Sequence, residues 1–404
     1  MTQAFIIDAV RSPRGRGNDK GALKGVKPVD LLAQQLVALQ ARTGVDTAQV
    51  CDGLFGCVTQ TAEQGSNIGK LALVRAGWSD AVSGMTLNRY CASGLTAVQF
   101  AATQALVNDG VAVAGGVEMM SRVPMASDKG PLTHDPDLQR QTRLVPIGIA
   151  ADAIASIEGF TRQQCDAYAL ESQRRAVAAR QDGRFRSVVP VKGEDGEVLL
   201  EQDETPRAGT TLESLSSLAP AFAEMGVKSG VDAWLAKQYG LAGVDHVQHA
   251  GNSPAMADGA AAVLVASTAA VQRLGLTPRA RILAAADASA DHVMALTGAA
   301  DATRKALASA GLSAGDVDLF EVNESFAALM LHYMKHLEVP HERLNVNGGA
   351  IALGHAMGST GSTLVGMALD ELERRDARRA VVAICGAAGV AVAMVIERVS
   401  ADAT

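Results

Sequence analysis

No CxxC pair occurs among the five cysteines, and an odd number so spaced supplies neither a disulfide framework nor a structural zinc site. Cys51 and Cys57 read as small buried residues. Concentrated positive charge is also missing. Lys and Arg number 36 against 43 Asp and Glu, for a net charge of −7, and the one basic cluster, Arg11 to Arg16, is short and interrupted. That balance excludes a nucleic-acid partner, which binds by displacing counterions from phosphates. Low-complexity tracts and Gly/Ser linkers are lacking. Residues 1–10 have no basic leader and no long apolar core, and Asp8 interrupts them; they read as a first strand, and a cytoplasmic location is expected. The apolar run 380–396 approaches the length of a membrane span, but Gly386 and Gly389 split it into two β-branched halves. A buried hairpin is expected there, and no membrane partner.

What is present is a chain of 404 residues, 48% hydrophobic and 20% charged, the balance of a globular enzyme too long for one core, so two domains are the starting expectation. Forty glycines promise tight turns and close backbone approaches. Short apolar runs at 5–10, 53–58 and 85–87 alternate with helical patterns at 29–41 and 95–107, and a comparable series runs from 281 to 396. This alternation predicts an α/β fold with a largely parallel sheet and two similar halves. Between them, at about 121–250, the composition turns polar around a helix-like stretch at 162–180, which reads as an insertion lying over the core.

Four residues are candidates for chemistry. Cys91 follows the strand-like residues 85–90 and precedes Ser93, read as the N-cap of a helix starting near Leu95; a thiol there would feel the helix dipole and ionise more readily. Cys385 closes a strand inside Cys385-Gly386-Ala387-Ala388-Gly389, where small residues let a ligand approach the backbone. For both, a packed core cysteine is the bland alternative. His355 ends the glycine-rich loop 348–355 before a helix starting near Gly358. That loop lacks the GK[ST] ending of a phosphate loop and does not fit a dinucleotide fingerprint, so a role for the histidine itself competes evenly with packing. Asn323 precedes an apolar-periodic helix at 325–337, so its default role is N-cap, with Glu324 favoured by the dipole; the same geometry can aim its amide at a bound water.

Taken together, Asn88-Arg89-Tyr90-Cys91-Ala92-Ser93-Gly94, Gly115-Gly116-Val117-Glu118-Met119-Met120-Ser121, Asn323-Glu324-Ser325-Phe326-Ala327, Gly348 to Gly361 and Cys385 to Gly389 resemble the thiolase family, in the family's order and over nearly the whole chain. The resemblance implies a five-layered α-β-α-β-α fold of two similar halves. The N-terminal domain would cover 1–270, with an inserted loop domain at about 121–250, and the C-terminal domain 271–404. It implies cleavage of 3-oxoacyl-CoA by CoA, or the reverse condensation, with Cys91 as nucleophile, His355 as its base, Cys385 as the second acid/base and Asn323 holding a water at the enolate oxygen. Backbone N–H groups of Cys91 and Ala387 would form a second oxyanion site. Ser253, Arg207, Phe326 and Ile147 would contact acyl-CoA. CoA enters as substrate, no bound cofactor or metal is needed, and a homodimer or homotetramer is implied.

Several positions depart from the family pattern. Ala356 replaces a proline, Ala387 and Ala388 replace glycines, Pro254 replaces a serine beside Ser253, and residues 223–246 are additional. Pro146-Ile147 stands where many acetoacetyl-specific members carry His-Met, which favours a degradative 3-oxoacyl-CoA thiolase. A decarboxylating ketosynthase is disfavoured by the second cysteine, and a carrier that has lost turnover by the retention of all four catalytic residue types.

Overall fold

The computed structural model describes residues 2–399; Met1 and residues 400–404, the outer ends of the two expected domains, lie outside the described residues. Strand β1 (Ala4–Arg11) leads to helix α1 (Pro28–Thr43), which opens on a proline that needs no donor there and closes at Gly44 with φ 66°. Strand β2 (Val50–Gly56), helix α2 (Ile68–Arg75), edge strand β3 (Met85–Leu87), helix α3 (Ser93–Val107) and strand β4 (Val111–Met119) follow. An excursion then carries helices α4 (Ile147–Glu158), α5 (Arg162–Gln181), α6 (Ala223–Ser229) and α7 (Val231–Tyr239). The chain returns through strand β5 (Ala257–Ser267), buried along its whole length. The second series comprises β6 (Ala280–Ser289), α8 (Gly298–Ser309), β7 (Leu319–Val322), α9 (Ala327–Leu337), α10 (Met357–Arg374), β8 (Arg379–Cys385) and β9 (Val390–Arg398).

Strand order bears out the two similar halves. The N-terminal strands lie in the order β1-β5-β4-β2 and the C-terminal ones in the order β6-β9-β8-β7, with the same sequence of antiparallel, antiparallel and parallel pairings. The sheet is therefore mixed, which corrects the largely parallel expectation. Strands joined through α3 or α10 need a crossover of helical length, whereas β8 and β9 are joined by a tight turn and must run antiparallel. The turn confirms the hairpin reading of 380–396. No single helix among the described residues is long and apolar enough to cross a membrane. Strands β1 and β6 also pair over a few residues, so one hydrogen-bonded path of nine strands runs through both halves.

Three cores separate the layers. The central one joins Leu95 and Val98 of α3 and Leu364 and Val365 of α10 to strands of both halves. One outer core lies under α1 and α2, around Leu32, Leu36 and Leu73; the other lies under α8 and α9, around Ala306, Met330 and Tyr333. Alternate residues of one strand serve different layers: Val263 and Val265 of β5 face the central helices, and Ala262 and Leu264 face the outer ones. Two faces covered by helices explain why these strands read as continuous apolar runs. The excursion at 121–250 packs on the C-terminal half, with Ile149, Ile154 and Tyr168 joining its outer core.

Candidate active site

The N-terminal ends of α3 and α10 meet at the centre of the molecule, and glycines make the approach possible. A Cβ on Gly56 would lie 2.6 Å from the Gly358 carbonyl oxygen and 2.7 Å from the Gly94 nitrogen, and one on Gly361 would lie 2.2 Å from the Leu95 nitrogen; packed interiors leave no room for such overlaps. Ser362 Oγ donates to Gly94 O at 2.9 Å, which ties the two helices together. Cys91 lies two residues before the first residue of α3 and His355 two before that of α10, so the crossing draws Cys91 and His355 toward one place.

Cys91 follows Tyr90, a residue held at φ 49° with its N–H on Asn88 Oδ1 at 2.8 Å. Ser93 is the first residue of α3 rather than its N-cap, because its hydroxyl folds back, accepting from Arg89 N–H and donating to Tyr90 O. Cys91 remains partly accessible within dense surroundings. Burial pushes its thiol up to about 12, with Cys385 and Glu118 adding to the effect. This overturns the expectation of a dipole-lowered thiol: loss of solvation outweighs the helix terminus. At rest Cys91 is a neutral thiol, which would need a base to act as a nucleophile.

His355 is buried, with Nδ1 2.9 Å from Thr360 Oγ1 and Nε2 lacking any partner. Burial, and then the Arg14 charge, push it down to about 3, so the imidazole is neutral. With Nδ1–H donating to Thr360, Nε2 presents a free lone pair. Cys385 Sγ lies 3.1 Å from Ser325 Oγ, which accepts from Asn323 Nδ2 at 3.1 Å, and burial raises the Cys385 thiol as well. The Asn323 Oδ1 is buried without a partner. Asn323 is not the N-cap of α9, since the helix starts at Ala327 with Phe326 before it. Glu324 likewise lies outside α9. It is fully buried and accepts from Tyr168 OH at 2.9 Å, Ser172 Oγ at 2.7 Å and Ile351 N–H at 3.0 Å, binding the asparagine loop to α5 and to the glycine-rich loop.

After Cys385, Ala388 at φ 55° and Gly389 at φ 87° are left-handed, and Ala387 is not. Among the expected acyl-CoA contacts, Ser253 has a buried hydroxyl with no partner. Phe326 meets Phe222 edge-on at 6.0 Å, and Phe222 lies against Gly148, where a Cβ would come within 2.2 Å of its ring. Ile147, exposed at the start of α4, immediately precedes Gly148. Arg207 lines a cleft of about 250 Å³ with Gln173, Thr210, Ser214, Leu218 and Gly251. The additional segment is docked firmly. Its Leu235 is buried, Arg143 covers its Trp234, and His246 contacts Asp152 at 2.7 Å and Asp232 at 2.9 Å.

Sequence reasoning missed two charged residues at the centre. Glu118 is fully buried and accepts from Val58 N–H, Thr59 N–H, Gln64 Nε2 and, at 3.0 Å, Gly358 N–H at the start of α10. Its signal was a single carboxylate in an otherwise small and apolar strand. Arg14 is buried with Nε and Nη2 unpartnered, and it adds to a cluster in which Asp203 already pairs with Arg11 at 2.7 Å.

The chain matches the family models "Thiolase, N-terminal domain" over residues 4–233 and "Thiolase, C-terminal domain" over residues 276–398. It is similar to the 3-ketoacyl-CoA thiolases of Salmonella typhimurium and Aeromonas hydrophila, each 38% identical over 99% of this chain and 100% of the relative. Among solved structures, it resembles a Bacillus anthracis acetyl-CoA acetyltransferase, with a TM-score of 0.85 and 33% identity over 99% of both chains.

Proposed function

Because the chain belongs to the thiolase family, we propose that it transfers an acyl group between 3-oxoacyl-CoA and CoA through an acyl-Cys91 intermediate, acting chiefly as a degradative 3-oxoacyl-CoA thiolase. The observation that carries this reading is that Cys91 and His355 stand just before the crossing N-terminal ends of α3 and α10, the thiol neutral and the imidazole neutral with Nε2 free. Neither group is charged at rest, so the proton moves as Cys91 Sγ attacks the C3 carbonyl, and His355 Nε2 receives it. Carbon–carbon cleavage leaves the acyl group on Cys91 and releases the enolate of acetyl-CoA. Protonated His355, with a water on Asn323, steadies the enolate oxygen, and the Cys385 thiol delivers the proton that completes acetyl-CoA. The thiol of an incoming CoA then attacks acyl-Cys91 and gives its proton to Cys385, while Cys91 leaves as a thiolate and takes back the proton held on His355, which restores both cysteines and the neutral imidazole. The N–H groups of Cys91 and Ala387 receive the oxyanion formed on C3.

Names of full-length relatives support the 3-oxoacyl substrate, and the aromatic pair Phe222 and Phe326, packed against Gly148, suits an acyl chain longer than acetoacetyl. CoA is a substrate, and no metal or permanent cofactor takes part. Leu71, Val74, Met85 and Phe100 leave an exposed apolar surface beside edge strand β3, which supports a homodimer in which two β3 edges pair; a tetramer of such dimers and a cytoplasmic location complete the proposal.

The test is mass spectrometry of the protein mixed with 3-oxoacyl-CoA substrates of increasing length, with acetyl-CoA release followed in parallel. Acyl-Cys91 is expected in the wild type and neither product in Cys91→Ala, while Cys385→Ala still acylates from a simple acyl-CoA but does not condense. Turnover by Cys91→Ala would refute the assignment.

A further inference from the structure

We propose that Glu158, His332 and His336 form a binding site for a divalent transition-metal ion of the Zn²⁺ or Co²⁺ class, which clamps the C-terminal end of α4 to α9 outside the catalytic centre. His332 and His336 are one turn apart on α9, so both project from one face, and their rings stand 4.0 Å apart. Both rings aim a nitrogen at the same oxygen of Glu158, the last residue of α4: His332 Nδ1 at 2.9 Å and His336 Nε2 at 2.7 Å from Oε1. The three donor atoms all lie within 4.8 Å of one another. Metal–ligand bonds of about 2.0–2.2 Å around a tetrahedral ion hold ligand atoms roughly 3.4 Å apart, so the ion fits once the two nitrogens draw back from Glu158 Oε1 by about half an ångström or slightly more.

The surroundings suit metal ligation. Lys335 Nζ holds the other Glu158 oxygen at 2.8 Å and lies over the Phe160 ring, so it orients the carboxylate and leaves Oε1 for the ion. Burial works against Glu158 ionisation, but Lys335, His336 and His332 overcome it and hold the carboxyl at about 2. Burial and then His336 lower His332 below its ordinary value, which leaves it neutral and able to ligate. His336 is exposed, so water can take the fourth position. Two imidazoles and one carboxylate favour a borderline ion over Mg²⁺ or Ca²⁺, which prefer all-oxygen sites.

The test is titration of the chelator-stripped full chain with Co²⁺, read by visible absorption and heat, followed by Zn²⁺ displacement. We expect one equivalent per chain, a nitrogen/oxygen d–d spectrum with no thiolate charge-transfer band, and a rise in Tm. His332→Ala and His336→Ala each weaken binding about tenfold or more, and the double variant abolishes it. Undiminished binding by the folded double variant, a thiolate band implicating the cysteines, or no wild-type binding at millimolar Co²⁺ overturns the proposal.

Discussion

His355 carries a cost in acid that is separate from its chemistry. Its folded value of about 3 lies below the ordinary 6.5, so below pH 6.5 the unfolded chain takes up a proton that the folded chain refuses. Stability is therefore full above about 6.5 and falls as the pH drops from there toward 3. His355→Gln is expected to flatten this slope, read as a smaller difference between urea midpoints at pH 7 and pH 5. An unchanged slope would move the effect to His341, which burial and Arg175 push down to about 4. Ala388, at φ 55°, pays for a left-handed turn that glycine adopts freely. Ala388→Gly should stabilise by about 1 kcal/mol or less, seen as a raised Tm. Cys91, His355, Asn323 and Cys385 were legible because each stands in a local motif. Glu118 and Arg14 were not: Glu118 is bonded to residues 60 and 240 positions away, and nothing local marks such a partner.

At the scale of elements, the crossing of α3 and α10 is the arrangement on which the site depends. A Cβ on Gly94 would stand 2.7 Å from Gly358 O and 3.0 Å from Ser362 N, so Gly94→Ala should force the helices apart. The expected loss is about 1–3 kcal/mol in denaturant unfolding, with a larger proportional fall in thiolysis, because Cys91 and His355 ride on the two displaced ends. Equal thiolysis and stability in the variant would show that the crossing tolerates expansion. Most helices and strands were legible from hydrophobic period, but their starts were not. Asn323 and Ser93 look like N-caps on residue type alone, yet Ser93 bonds backward to Tyr90 and Asn323 sideways to Ser325. Strand direction was misread for a related reason, since apolar runs carry no sign of which neighbour a strand will join.

Over the whole molecule, one ionic cluster joins the two halves. Arg279, just before β6, reaches Asp8 of β1 at 2.6 Å, Asp370 of α10 at 3.0 Å and Glu373 at 2.6 Å, and Arg42 of α1 also pairs with Asp8. Arg279→Met would leave Asp8 and Asp370 with reduced compensation in the interior, and a loss of about 3 kcal/mol is expected in denaturant unfolding; a change near zero would mean that Arg42 alone satisfies Asp8. The sequence by itself determined the family, the α/β class, the four candidate site residues and the presence of an insertion, because local motifs and apolar periodicity are written in consecutive residues. Only the tertiary structure decided that the sheet is mixed, that the halves repeat one strand order, and that the Cys91 thiol is neutral at rest. Each of these depends on burial and on partners far apart in the chain, and burial outweighed the helix-end effect that the local reading of Cys91 relied on.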